Sequence, residues 1–270
     1  MAEKRTWRRR AQRVSRHVVV RGSVLAMLLA VACAGRESRS AMSPSAAVPC
    51  TKPNATGDPN TSSPPRCVSF SGFDWVVKAS PRFEPGPNAW SDAVSNLWVD
   101  ERGLHLKITG NAGQWRASEV ALNGSFGYGT YTIRTATRLA DLDRNVVFGF
   151  FVYDYADPAF SHREIDIEYS PSLGFTAGKN AHFTVQPFTL AGRTHDFAAD
   201  PGLSSGQHSF EWRSDKVMFQ SAGETWTLTA PDVPRPGREN VRLNLWLFKG
   251  LQPTNGSEAE VVISSFEYQP

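Results

Sequence analysis

His162-Arg163-Glu164-Ile165-Asp166-Ile167-Glu168-Tyr169 is the stretch on which the reading of this chain turns. Successive side chains of a β-strand point to opposite faces, so Glu164, Asp166 and Glu168 share one face and Ile165, Ile167 and Tyr169 share the other. The apolar set supplies a wall of core and the acids supply a polar surface. A helix would scatter the carboxylates around its axis and put two β-branched residues between them. Arg163 has the wrong parity to neutralise the acids, so three like charges repel one another on one face.

Two carboxylates on either side of one bond are what glycoside hydrolysis requires, one as nucleophile and one as general acid and then base. The retaining reaction sets the two carboxyls roughly 5 Å apart. Alpha carbons at i and i+4 of a strand are about 13 Å apart, a gap that two glutamates leaning inward can narrow. Asp166, the shorter acid between them, is placed to hydrogen-bond the nucleophile and to raise the proton affinity of the second Glu. A solvated strand face, or part of a cation site, is the competing reading of the same pattern.

Outward from this stretch, short runs of Val, Ile, Phe, Tyr, Trp and Thr alternate with Gly, Pro, Asn and Asp turns from Val68 onward. Leu104–Ile108 and Tyr131–Thr135 alternate cleanly. Val146–Tyr153 is a continuous apolar run, as expected of a strand buried on both sides. Further strands are expected at Phe70–Val77, Glu119–Leu122, Ala181–Gln186, His208–Trp212, Val217–Gln220, Thr225–Thr229, Val241–Phe248 and Val261–Tyr268. No stretch sustains a helical period, so helices should be few and short. The fold class is therefore all-β, a two-sheet β-sandwich of jelly-roll type with a concave substrate cleft.

Glu164-Ile-Asp-Ile-Glu168 followed by an aromatic resembles the signature of glycoside hydrolase family sixteen, the β-jelly-roll enzymes that include lichenases, laminarinases, agarases and xyloglucan endotransglycosylases. The resemblance extends over residues 68–270. It implies Glu164 as nucleophile, Glu168 as acid/base and Asp166 as the assisting acid. The uninterrupted spacing is similar to the lichenase and xyloglucan branches, whereas laminarinase and agarase-like members usually carry an extra residue that bulges the strand. Gly127–Tyr131 and His208–Trp212 resemble structural turns and hairpins of the family. Arg242-Leu-Asn-Leu-Trp246 resembles the strand that brings an Asn and a Trp to the lichenase cleft, here Asn244 and Trp246 on one face.

Sugars are held by aromatic faces and by hydrogen bonds to their hydroxyls. The remaining cleft candidates are Asn88, Trp90, Trp115, Glu119, His162 and Gln186. Two positions depart from the lichenase pattern. Ala121 stands where those enzymes have an Arg two residues after the equivalent of Glu119, and His162 stands where they have a Trp. The resemblance implies a retaining, endo-acting hydrolase of a β-1,3-1,4 or β-1,3 glucan, with a polysaccharide partner and a monomeric state. A non-catalytic polysaccharide-binding lipoprotein and a transglycosylase are the alternatives. No organic cofactor is implied, and the family allows a structural calcium.

Other chemistries find no motif. The six His lack a His-Glu-x-x-His spacing, and the chain has no phosphate-cradling Gly loop, nucleophile elbow or Cys-x-x-Cys. No metal ligand set is read. Residues 1–32 order a basic region before the apolar run Ser23–Ala32, the pattern of a secretory signal. They hold eight basic side chains and one acid, so of the formal net charge of +3 the remainder carries −4, which argues against nucleic acid as a partner. Ala30-Val31-Ala32-Cys33 resembles a lipobox, with Cys33 lipidated; ordinary cleavage after Ala32 is the alternative. The expected organisation is a signal at 1–32, a Pro/Ser/Thr-rich disordered tether at 33–67 and the jelly-roll domain at 68–270. The protein is expected to be exported, touching a membrane only through the lipid. Removing Cys33 leaves Cys50 and Cys67 as a candidate pair.

Overall fold

The computed structural model describes residues 48–270 apart from 112, 174, 175, 230 and 232. Its strands form two large antiparallel sheets. The first has nine, in the spatial order β1 (Val48–Pro49), β2 (Arg66–Phe70), β3 (Phe73–Val77), β9 (Ser118–Leu122), β18 (Asn240–Leu247), β11 (Val146–Tyr153), β12 (Ile165–Tyr169), β13 (Ala181–Val185) and β14 (Thr194–Phe197). The second runs β17 (Glu224–Thr229), β16 (Lys216–Ser221), β15 (Gly206–Trp212), β10 (Gly129–Thr135), β19 (Ala259–Gln269), β7 (Gly103–Asn111) and β6 (Leu97–Asp100), with β8 (Gln114–Arg116) paired to β7. A small hairpin joins β4 (Ser80–Phe83) to β5 (Asn88–Trp90). Only one short helical turn and two 3₁₀ turns interrupt the strands described.

Alternation explains how the sheets stack. Ile165, Ile167 and Tyr169 of β12 and Phe148, Phe150 and Val152 of β11 are fully buried between the sheets. They meet Phe210 and Phe219 from the facing sheet, with Phe150 and Phe210 rings 5.2 Å apart and Phe183 and Phe219 rings 5.0 Å apart. Each such ring contributes about 1.5–3 kcal/mol of burial. The register through β12 is unbroken on both sides, so no bulge interrupts the acids.

Two strand expectations change. Phe70–Val77 is two strands, because Ser71 and Gly72 take φ of 52° and 81° and turn the chain into a hairpin. Val146–Tyr153 is not uniformly covered: Phe151 and Tyr153 are only half-buried, on the outer face of the sheet. The expected tether also changes over its described part. Cys50 and Cys67 are joined in a disulfide, β1 pairs with β2, and Asp58 is buried in an ion pair with Arg242. Short polar side chains here build turns rather than a solvated coil: Asp58 accepts from the backbone and side-chain N–H groups of Asn60 at 2.8 and 2.9 Å. Residues 48–67 therefore belong to the domain. The signal region, Cys33 and the tether up to residue 47 lie outside the described residues.

Candidate active site

The outer face of the nine-stranded sheet carries a cleft of about 490 Å³. Cross-strand register sets its floor in rows. One row runs His182, Glu168, Gly149, Asn244 and Glu119 across β13, β12, β11, β18 and β9; the next runs Thr184, Asp166, Phe151, Arg242 and Ala121. Gly149 keeps the middle of the first row open, since a Cβ there would lie 2.5 Å from Oδ1 of Asn244.

Glu164, Asp166 and Glu168 all line this cleft. Asp166 is buried and accepts a hydrogen bond of 3.2 Å from Nε2 of Gln186. Burial, reinforced by the charges of Glu164 and Glu168, drives its proton affinity far above that of an ordinary Asp. Glu164 is raised as well, first by burial and then by Glu168, while Arg242 opposes the rise. Burial thus favours the protonated form of Asp166, whose hydroxyl can donate to the carboxylate of Glu164. Glu168 keeps 22% of its side chain exposed and shares a hydrogen bond of 2.9 Å with Nε2 of His182.

Two cations lie at the opposite edge. Lys78 donates to Oε2 of Glu119 at 3.1 Å and stands 4.2 Å over the Trp90 ring. Nη1 of Arg242 donates to Asp58 at 2.9 Å and to Glu119 at 2.8 Å. Phe83, Tyr153, Tyr155, Trp246 and Phe248 give the cleft aromatic faces. Acids on one side, aromatics along the walls and amides on the floor suit a neutral polyhydroxylated chain.

No family model matches the sequence, and no curated protein does. Among solved structures, the chain is similar to a Bacillus licheniformis β-glucanase, with 16% identity, a TM-score of 0.58, and coverage of 75% of this chain and 94% of that one. A prokaryotic β-1,3-1,4-glucanase (lichenase) derived from a mouse hindgut metagenome matches at 20% identity and a TM-score of 0.55, over 73% and 92% of the two chains. The fold is that of glycoside hydrolase family sixteen. A Mycobacterium tuberculosis protein described as an immunostimulatory antigen and pseudo β-1,3-glucanase shares it, at 20% identity and a TM-score of 0.55 over 72% and 90%.

On this scaffold, Glu119, Gln186, Asn244 and Trp246 line the cleft as expected, together with the three acids. Glu119 is the floor's counter-ion: it is buried and held by Lys78 and Arg242. Four expected cleft residues lie elsewhere. Asn88 is buried with its amide spent on the carbonyls of Pro85 and Leu247 and the N–H of Leu247. Trp90 is buried beneath Lys78, its indole donating to Phe83 O. Trp115 packs into the main core. His162 precedes β12 in a turn of positive φ and stacks on Tyr153 at 4.6 Å; strand parity does not extend to it. The residues that were missed are chiefly Lys78, Tyr153, Tyr155, His182, Thr184 and Arg242. Parity would have found several of them, because His182 and Thr184 alternate with Gln186, Arg242 with Asn244, and Tyr153 with Phe151.

Ala121 and Arg242 are directly opposed across β9 and β18. The Arg that the lichenase resemblance places on β9 is absent, and an Arg stands on the neighbouring strand in register with the Ala at that position.

Proposed function

We propose that the protein is a retaining endo-β-glucanase acting on β-1,3-1,4 or β-1,3 linked chains. The observation that carries this is the set of Glu164, Asp166 and Glu168 lining one aromatic-walled cleft on a fold shared with β-glucanases. Glu164 attacks the anomeric carbon and the sugar is held as a glycosyl ester. Glu168, the acid hydrogen-bonded to His182, protonates the leaving oxygen and then takes a proton from the incoming water. Asp166, protonated and donating to Glu164, holds a hydrogen bond that weakens as Glu164 gives up its charge to form the ester and strengthens as the ester is cleaved. His182 fixes the orientation of Glu168. The test is incubation of the purified protein with lichenan and laminarin: release of β-configured oligosaccharides is expected, and no product from either glucan would sink the reading.

A binding role without hydrolysis is the second reading, favoured by the pseudo β-1,3-glucanase that shares the fold. Retardation in glucan-containing native gels, unaltered by Glu164→Gln and accompanied by no product, would select it.

A further inference from the structure

Arg242 is almost wholly buried, yet it lines the cleft. Its Nη1 alone serves both Asp58 and Glu119, while Nε and Nη2 have no hydrogen-bond partner among the described residues. A buried charged donor left unpaired costs about 1–3 kcal/mol or more, and here two sit side by side on one edge of a planar group. Asp58, itself fixed by Asn60, and Glu119, itself fixed by Lys78, together lock the Nη1 side. The rings of Tyr153 and Tyr155, 5.7 and 5.8 Å from Cζ, border the guanidinium.

We infer that Nε and Nη2 of Arg242 form a two-pronged donor for vicinal hydroxyls of the pyranose bound next to the reacting unit. This rests on the proposed glucanase reading and adds to it a residue that determines which ring is accepted. Arg242 stands two strands from Asp166, about 10 Å at the usual strand spacing, so it meets a neighbouring ring rather than the one under attack. A guanidinium edge matches two oxygens of a planar or near-planar pair. A sugar carboxylate would fit the same edge, but Asp58, Glu119, Glu164 and Glu168 outnumber Lys78 and Arg242 around it, so neutral hydroxyls are the ligand. Asp58 comes from the segment clasped by the Cys50–Cys67 bond, which makes that segment a positioning part of the subsite.

The test uses the full chain carrying Glu164→Gln, to stop turnover, and calorimetric binding of a mixed-linkage glucan tetrasaccharide. Adding Arg242→Lys keeps a cation for Asp58 and Glu119 and removes the fork; the dissociation constant should rise about tenfold or more, the equivalent of roughly 1.4 kcal/mol. In the active background KM should rise more than kcat falls. Should Arg242→Lys not fold, tetrasaccharides deoxygenated one hydroxyl at a time are bound to the Glu164→Gln protein, and two vicinal positions on one ring should each lose affinity. Unchanged affinity for Arg242→Lys, or for every deoxy sugar, overturns the inference while hydrolysis by the parent leaves the glucanase reading standing. Tighter binding of a C6-oxidised uronate tetrasaccharide, lost in Arg242→Lys, overturns the hydroxyl assignment. Failure of the parent to bind or cleave any glucan removes both.

Discussion

Glu164 and Glu168 face one cleft from different surroundings, and each should fail differently when removed. Glu164→Ala should abolish turnover, with azide filling the gap and giving a product of inverted configuration. Glu168→Ala should lose about 10²–10⁴-fold on glucan but still form the glycosyl ester from an aryl glycoside with a good leaving group, after which azide gives the retained product. Product configuration by NMR decides it, and the opposite pairing of configurations would reverse the two roles. Strand alternation was enough to place Asp166 and Glu168, and Asn244 with Trp246, on the cleft face. It could not separate a cleft Trp from Trp90 and Trp115, because an aromatic beside a turn looks the same in sequence whether its ring meets sugar or core. Nor could composition show that the amide of Asn88 closes a backbone gap.

The turn Phe160–Arg163 that delivers the chain into β12 holds four L-residues in succession at φ of 54°, 51°, 61° and 57°. Each costs roughly 1–2 kcal/mol in that region, and the surrounding bonds must hold it. The N–H of Asp154 donates to His162 O at 2.7 Å, and Arg163 reaches Asp154, Asp157 and Arg235 O at 3.0, 2.8 and 2.9 Å. Gly237 leaves room for this, since a Cβ there would lie 2.5 Å from Nε of Arg163. Arg163→Met removes the cation from buried Asp154, which keeps the N–H donors of Ala156, Asp157 and Arg238, and should cost about 1.5–3 kcal/mol in urea unfolding, with kcat falling more than KM changes because Glu164 is the next residue. Wild-type stability together with wild-type kcat would show that the clamp does not hold the turn. No glycine marks this turn in the sequence, and parity alone consigned Arg163 to the core side.

Across the whole molecule, a chain of hydrogen bonds joins the sheets: Tyr169 to Ser221 at 2.6 Å, Ser221 to Nδ1 of His208 at 2.6 Å, and Nε2 of His208 to Thr135 at 3.1 Å. Burial lowers the pKa of His208 from 6.5 to about 4. Below pH 6.5 the unfolded chain binds a proton that the folded chain refuses until about pH 4, so stability falls as pH drops through that window, by about 3 kcal/mol in all. His208→Gln should flatten the slope of urea stability between pH 6.5 and 4; an unchanged slope would assign it to other groups. The sandwich was readable from alternation because burial dictates period two, whereas residues 48–67 were misread because their ordering depends on one ion pair and one disulfide rather than on apolar area. That ion pair spans 184 residues, from Asp58 to Arg242. During synthesis the early segment must therefore wait for almost the last strand to leave the ribosome before its carboxylate finds a cation. A nascent chain, or one cut short before β18, displays the three acids with neither the guanidinium nor Asn244 and Trp246 beside them, so the cleft is complete only near the end of translation.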